Sequence, residues 1–375
     1  MAKSLTSLWL KNLRTLGKAQ RSSQKLFKNL LPKAAKKISV PKLPAAKPLK
    51  TSLRKRTVAV KTGSPPAGTW RKGWFTNPAA AVAAPGKRLL YWLYLPSGDA
   101  MALRPLVVML HGCQQSAADF AQVTRMNELA ERKGFAVLYP QQSGTADRHR
   151  CWRWFEQASL AGGGDVELVS NLVAHIGALH FLDPARTYAA GLSAGGGLAC
   201  LLGLHRPEQF AAVALHSAPV AGVAETPLKA LQTMQHGSGR HLAAARALLD
   251  PETFPGLPAL IIQGDRDPVV RAVNGRQLAS QFEQLNAPSL ASAEPAVRNF
   301  LPRAKASPPR HGYRVSTWRA GRKLQIVLCE VQGLNHAWCG GASGHRFSAP
   351  EGPDASLMIW RFFSPLRRLK ARQRS

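Results

Sequence analysis

The chain has 375 residues, with 51 Lys and Arg against 20 Asp and Glu, a formal net charge of +31, and 45% hydrophobic residues. That length holds one large α/β domain or two ordinary ones, and the apolar fraction supplies a core, which excludes a wholly disordered or collagen-like chain. The 27 Pro and 31 Gly follow no repeat, no stretch reaches about 18 consecutive apolar residues as a membrane span would need, and five Cys are too few for a disulfide scaffold while still allowing one bridge.

The charge is concentrated at the ends. Asp99 is the first acidic residue, and 21 Lys or Arg precede it. Between Ser4 and Leu31, apolar Leu5, Trp9, Leu13, Leu16, Leu26, Phe27, Leu30 and Leu31 recur at helical spacing, with Lys11, Arg14, Lys18, Arg21, Lys25 and Lys28 mostly on the other side. This predicts a basic amphipathic helix. From Pro32 to Gly68 the sequence turns to Lys, Pro and Ala, too poor in apolar surface to offset chain entropy, and reads as an extended, disordered linker. Lys11 and Arg14 interrupt the one stretch that could serve as the apolar core of a cleavable signal peptide. The domain organisation expected is therefore a basic arm over 1–68, a folded domain over 69–365 and a basic tail over 366–375 that holds Arg367, Arg368, Lys370, Arg372 and Arg374. Such an arm either solubilises the chain or binds an anionic membrane, a polymer or granule surface, or nucleic acid.

In chain order, strands are predicted at Leu89 to Pro96 and Pro105 to Gly112, a helix over Asp119 to Lys133 and a strand at Phe135 to Pro140. A long loop holding Cys151, Trp152 and Trp154 follows. Next come a helix over Val166 to Leu179, a strand at Thr187 to Gly191, a helix over Ala194 to Leu204 and a strand at Phe210 to Ser217. Buried strands at Pro258 to Gly264 and Leu324 to Val331, with a helix between them, precede a last helix over Ser356 to Phe363. Asn286 to Arg310 reads as an extra surface loop. Continuous apolar strands alternating with helices imply a mostly parallel central sheet with helices on both faces, an α/β class in which chemistry gathers at the carboxyl ends of strands.

Gly191-Leu192-Ser193-Ala194-Gly195 is a G-x-S-x-G between a predicted strand and a predicted helix. A serine nucleophile needs that sharp turn, small flanking residues and a helix N-terminus that supports negative charge on the substrate oxygen. The alternative is an ordinary helix N-cap at Ser193. A serine hydroxyl also needs a base, and the base needs an acid to hold its tautomer. Asp265-Arg266-Asp267 follows the strand that ends at Gly264, and Gly333-Leu334-Asn335-His336 follows the last strand, in the order Ser, Asp, His. Asp267 is preferred as the acid because Asp265, directly after Gly264, is better placed to cap the turn. His336 is distinguished among eleven histidines by its Gly-bounded loop after a buried strand. Backbone donors for an oxyanion are expected from Ala194 and from the loop His111-Gly112-Cys113-Gln114-Gln115.

In this order, LHGCQQSAADF, RCWRWF, GLSAGG, QGDRDPVV, GLNHAW and GPDAS resemble the motifs of the polyhydroxybutyrate depolymerase family of esterases, which includes relatives acting on feruloyl and acetylxylan esters. The resemblance spans Leu89 to Phe363. It implies an α/β-hydrolase fold and ester hydrolysis through an acyl-enzyme. Ser193 is then the nucleophile, Asp267 the acid, His336 the base, and Cys113 with Ala194 the oxyanion donors. It further implies a Cys113–Cys151 bridge, and Trp152 and Trp338 as walls for the acyl group or polymer chain; the alternative for these two is packing. The substrate implied is a hydroxyalkanoate oligomer, with feruloyl or acetylxylan esters as the alternative, and an anionic-surface or nucleic-acid binding protein as the reading from another class. The family points to an extracellular location, the unreadable signal peptide to the cytoplasm or a granule. No cofactor is expected, no Cys and His spacing matches a zinc site, and no nucleic-acid motif stands in the core. Cys339, where relatives often have Pro or Ser, is either a thiol near the site or a partner of Cys329.

Overall fold

The computed structural model describes residues 66–77, 88–99, 101–249, 254–292, 294–301 and 310–368. The amphipathic helix expected over 4–31 and nearly all of the expected linker lie outside the described residues, as does the tail from 369 onward. Ten strands form one sheet: β1 Thr69–Thr76, β2 Arg88–Leu95, β3 Arg104–Leu110, β4 Ala136–Gln141, β5 Leu182–Leu192, β6 Ala212–His216, β7 Ala259–Gly264, β8 Ala296–Phe300, β9 Tyr313–Ala320 and β10 Lys323–Val331. Their order across the sheet is β1-β2-β4-β3-β5-β6-β7-β10-β9-β8. The six central strands from β4 to β10 are parallel. Antiparallel β1 and β2 flank them on one side and β9 and β8 on the other.

The parallel strands read as unbroken apolar runs because both faces are covered. Leu106, Val108 and Leu110 of β3 join one core with the helices Gly164–Leu179 and Ala194–His205. Val107 and Met109, pointing the other way, join a second core with the helices Ala117–Thr124, Met126–Lys133 and Ala355–Phe363. This is the α/β-hydrolase arrangement.

The structure adds strands β1 and β9 and helices over Pro227–His236 and His241–Ala247 that the sequence reading did not predict, and it departs from that reading elsewhere. The helix expected over Asp119 to Lys133 is two helices broken at Arg125, whose backbone is left-handed at φ 52°. The break turns Met126 and Leu129 onto the same core as Phe120 and Val123, and Arg125 pairs with Glu128 at 2.8 Å. The strand expected at Thr187 begins five residues earlier, at Leu182; Pro184, which lacks an N–H, hid the extension. The surface loop expected over Asn286 to Arg310 contains β8, which pairs with β9 although all five of its residues are exposed. Of the two readings left open for Cys339, the structure gives the free thiol: Cys329 and Cys339 do not pair, and they and Cys200 are buried free thiols. Burial pushes Cys200 and Cys329 up to about 12 and Cys339 well above its ordinary value, so none is a ready nucleophile.

The C-terminal helix is fastened to the sheet at Tyr188. Its ring stacks on Phe363 at 4.6 Å, and its hydroxyl donates to the Leu366 carbonyl at 2.7 Å in a buried setting. Tyr188→Phe keeps the stack and leaves that carbonyl unpaired. The expected cost is about 1–2 kcal/mol, read as a lower urea midpoint at unchanged slope; an unchanged midpoint would show that water replaces the hydroxyl.

Candidate active site

Ser193 stands between β5 and the helix Ala194–His205 with φ 57° and ψ −122°, a backbone conformation that L residues rarely adopt. Its hydroxyl makes no capping bond, so it is not an ordinary N-cap. Two backbone bonds hold the turn: Ser193 N–H donates to the His216 carbonyl at 2.9 Å, and Gly197 N–H to the Ser193 carbonyl at 3.0 Å. The flanking glycines are a steric requirement. A Cβ on Gly191 would overlap the backbone of Gly195, and one on Gly195 would overlap the carbonyl oxygens of Leu110 and His111 at the end of β3.

The ends of β7 and β10, paired Gly264 to Val331, bring the other candidates together. His336 Nδ1 lies 2.8 Å from Asp267 Oδ2. Asp267 Oδ1 accepts from the Val269 and Val270 amides, both at 2.9 Å, so the carboxylate is fixed before it meets the imidazole. With an ionised carboxylate as partner, Nδ1 carries the proton and Nε2 is left as an acceptor. The Asp267 side chain is fully buried, while the His336 side chain keeps 11% of its surface exposed. Asp265 has other work: its Oδ1 accepts from the Gly333 amide at 2.6 Å and joins the two loops.

The loop after β3 lies against the serine, since a Cβ on Gly112 would come within 3.6 Å of Ser193 Cβ. The Gly112 amide is taken by Gln115 Oε1 at 2.9 Å. The Gly112 carbonyl faces His111 Nδ1 at 2.8 Å, and His111 Nε2 accepts from the Gln142 amide at 3.1 Å, which fixes the Nδ1–H tautomer. Because a trans peptide holds C=O and N–H in opposite directions, pinning the Gly112 carbonyl directs the Cys113 N–H the other way. That N–H has no hydrogen-bond partner among the described residues. Cys113 is joined to Cys151 by a disulfide, and the Gln114 amide donates to the His149 carbonyl at 2.7 Å. The loop is thus tied to the segment that carries Trp152.

His216 was not singled out by the sequence. It lies at the end of β6, between the serine strand and the acid strand, fully buried and stacked on Trp338 at 5.0 Å. Its Nε2 accepts from the Cys339 amide at 3.2 Å. Burial pulls it down to about 3, helped by His336 and opposed by Asp267. His111, also fully buried, is pulled down to about 4. The only sequence signal for His216 was a histidine at the end of an apolar strand, whereas His111 already stood in the loop expected to carry an oxyanion donor.

The expectation that Trp152 and Trp338 wall the acyl site is corrected. Both rings have no exposed surface. Trp338 is enclosed by His216, Phe120 and a bond from Nε1 to Ser356 Oγ at 3.3 Å, and Trp152 packs beside His111. Among the described residues no group of three His, Cys, Asp or Glu is placed to hold a metal ion, and no helix is long and apolar enough to cross a membrane.

A family model described as Esterase PHB depolymerase matches residues 89–300. Poly(3-hydroxyalkanoate) depolymerase C of Paucimonas lemoignei is 31% identical over 234 residues, which is 60% of this chain and 53% of that protein. The chain therefore spans about half the length of that relative. A probable acetylxylan esterase A of Aspergillus clavatus is 25% identical over 262 residues, 65% of this chain and 78% of that protein. Among solved structures, an acetyl xylan esterase from Aspergillus awamori matches with a TM-score of 0.53 at 18% identity, covering 78% of this chain and 99% of that one, a likeness of fold.

Two measurements test this geometry. Gly195→Ala should yield little folded protein or a sharply lowered urea midpoint, because backbone carbonyls cannot move aside for the new methyl group; a wild-type midpoint would contradict the close approach. His111 and His216 have folded-state values below the ordinary 6.5. Between those limits the unfolded chain binds more protons, so their contribution is complete above about pH 6.5 and is lost as pH falls toward 4 and then 3. Each should add a slope on the order of 1 kcal/mol per pH unit to urea-unfolding stability between pH 6 and 4; stability flat across that range would refute the neutral assignment.

Proposed function

The chain belongs to the esterase PHB depolymerase family, and from that premise we propose that it hydrolyses carboxylic esters through an acyl-enzyme on Ser193. The observation that carries this reading is the left-handed Ser193 beside strand ends that present a buried Asp267 bonded to His336. His336 Nε2 takes the hydroxyl proton as Ser193 Oγ bonds to the ester carbonyl carbon. The resulting oxyanion accepts from the amides of Cys113 and Ala194, and collapse breaks the bond to the alcohol oxygen, which leaves with the proton from His336. Water then repeats the sequence on the acyl-enzyme, giving up its proton to His336, and releases the acid. Asp267 holds the imidazole tautomer and stabilises the imidazolium that forms in both halves. His111 positions the Cys113 donor through the Gly112 carbonyl.

For the substrate we propose short acyl esters of the acetylxylan type. Two observations favour this over hydroxyalkanoate oligomers. The match extends over 78% of the acetylxylan esterase but 53% of the depolymerase. The burial of Trp152 and Trp338 also removes the aromatic walls on which a longer acyl chain or polymer would lie. The hydroxyalkanoate reading is kept second on the strength of the 31% identity to the depolymerase.

Ser193→Ala should abolish labelling by a fluorophosphonate probe and lower kcat/KM on p-nitrophenyl acetate by at least about 10³, with unchanged circular dichroism; Asp267→Asn should lower kcat by roughly 10²–10⁴. Wild-type protein that neither labels nor turns over any ester would refute the reading. Parallel assays on acetylated xylan, a feruloyl ester and hydroxybutyrate oligomers should give the highest kcat/KM on acetylated xylan, and a preference for the oligomers would reverse the order of the two substrate readings.

A further inference from the structure

Three of the six non-glycine residues with left-handed φ among the described residues meet in one corner of the rim: Gln114 at 65°, Arg150 at 54° and Phe347 at 60°. Gln114 directly follows Cys113, and its amide donates to the carbonyl of His149, next to Arg150, at 2.7 Å. Cys151, the residue after Arg150, is bridged to Cys113. From the loop after His336, Arg346 reaches across to the same point. Its Nη2 donates to Gln114 Oε1 at 2.9 Å, and its guanidinium lies over the Phe347 ring at 4.6 Å. The Phe347 carbonyl in turn accepts from the Trp338 amide at 2.8 Å, two residues beyond His336. Backbone held in sparsely populated conformations gathers where ligands are clamped.

This corner offers donors that lack acceptors. Gln114 Nε2 is shielded from solvent and has no hydrogen-bond partner among the described residues. Arg150 and Arg346 are both exposed, and among the described residues neither forms an ion pair. Nearby carboxylates are turned to other partners. Asp147 Oδ1 accepts from the His149 and Cys151 amides at 2.8 and 3.1 Å, and Glu156 pairs with Arg153 at 3.3 Å. Asp119, exposed in the first turn of the helix Ala117–Thr124, pairs with neither arginine. Arg150 is close enough to be felt in the oxyanion loop: burial is the main cause of the low His111 value, and Arg150 adds to it while the Gly112 carbonyl and Asp119 oppose it.

We propose that Arg346, Arg150 and the Gln114 side-chain amide form a subsite for a carboxylate carried by the ester, so that the enzyme selects acidic esters over their neutral counterparts. A planar guanidinium takes a carboxylate through two parallel N–H bonds, and Arg346 keeps N–H groups for this after bonding Gln114. The subsite adjoins the reacting group. Gly112, two residues before Gln114, is where an added Cβ would lie 3.6 Å from Ser193 Cβ, and Cys113 between them carries the proposed oxyanion amide. The proposal deepens the esterase reading and rests on it for the identity of the nucleophile. Two sources supply such a carboxylate: a uronic acid side group near the acetyl ester of a xylan, and the free acid end of a hydroxyalkanoate oligomer.

The test pairs substrates that differ only in charge: acetylated xylan with uronic acid side groups against the same polymer with those groups reduced to alcohols, and a hydroxybutyrate dimer as the free acid against its primary amide. At low salt the full chain should favour the charged member of at least one pair by about 10-fold in kcat/KM, chiefly through KM, and the pair that shows it identifies the source. Arg346→Ala should remove most of that preference and Arg346→Lys should restore part of it. Arg322→Ala, at an exposed arginine in the turn between β9 and β10, should keep the wild-type preference. Calorimetric titration of Ser193→Ala with both pairs reads the same preference without turnover, and adding Arg346→Ala should weaken binding of the acidic member about 10-fold. Charged and neutral members that are hydrolysed and bound alike overturn the proposal and leave the esterase reading standing. An equal loss of preference in Arg322→Ala also overturns it, by assigning the effect to diffuse positive charge. Binding preference without turnover of any ester would keep the subsite and overturn the esterase reading.

Discussion

Everything at the carboxyl edge depends on one close approach of backbone to backbone. The first turn of the helix Ala194–His205 lies so near the ends of β3 and β5 that neither Gly191 nor Gly195 has room for a Cβ. That contact forces Ser193 into left-handed backbone, at a cost of roughly 1–2 kcal/mol for a residue with a Cβ. The surrounding bonds to His216 and Gly197 hold it there. The return is directional: a serine in this turn presents its hydroxyl above the sheet edge while the next amide opens toward the same point. An extended Ser193 would point its side chain into the helix start as a cap, and the Asp267–His336 pair would have nothing to act on.

Three histidines at this edge show how environment divides one residue type into different jobs. His111 and His216 are fully buried and use Nε2 to accept a backbone N–H, so burial holds them neutral and they serve as struts. His336 instead uses Nδ1 on a carboxylate and retains some exposure, the arrangement in which an imidazole can take a proton and be stabilised once charged. The struts flank the proposed catalytic pair. His216 spaces the serine strand from the acid strand, and its stack on Trp338 ties the His336 loop to β6. Neutral struts add no positive charge beside His336, so they do not oppose its protonation in the proposed cycle.

The parts of the fold legible in the sequence were those where burial on both faces leaves an unbroken apolar run, as in β3, β4, β6, β7 and β10. The strand–turn–helix setting of Ser193 was legible for the same reason. Among the flanking strands only β2 was; β1, β8 and β9 were not. β8 has five exposed residues and β1 a mixture, so neither carries the alternation that reports a half-buried strand. His336 and Asp267 stood out because each follows a buried strand and a glycine turn. Trp152 and Trp338 were misassigned because sequence proximity to a motif does not say which way a ring points; here the rings fill the layer beneath the loops rather than line them. The positioning roles of Gln115 and Gln142 escaped notice because a glutamine that holds a backbone group has no sequence pattern of its own.

A parallel sheet separates its two edges by construction. β5 runs from Leu182 to Leu192, beside Ser193, so at about 3.3 Å per residue its two ends are roughly 30 Å apart. Exposed charges are screened over about 8 Å at physiological ionic strength. Of the 51 Lys and Arg behind the net charge of +31, 21 precede Asp99, and every residue named at the Ser193 edge follows it. The proposed chemistry at Ser193 can proceed on neutral esters without reference to those cations. Electrostatics near the serine is then local, set by the Asp267 carboxylate, two neutral histidines and amide donors. Composition reports how charge is distributed along this sequence, while the reaction proposed for it depends on a few backbone positions that composition does not register.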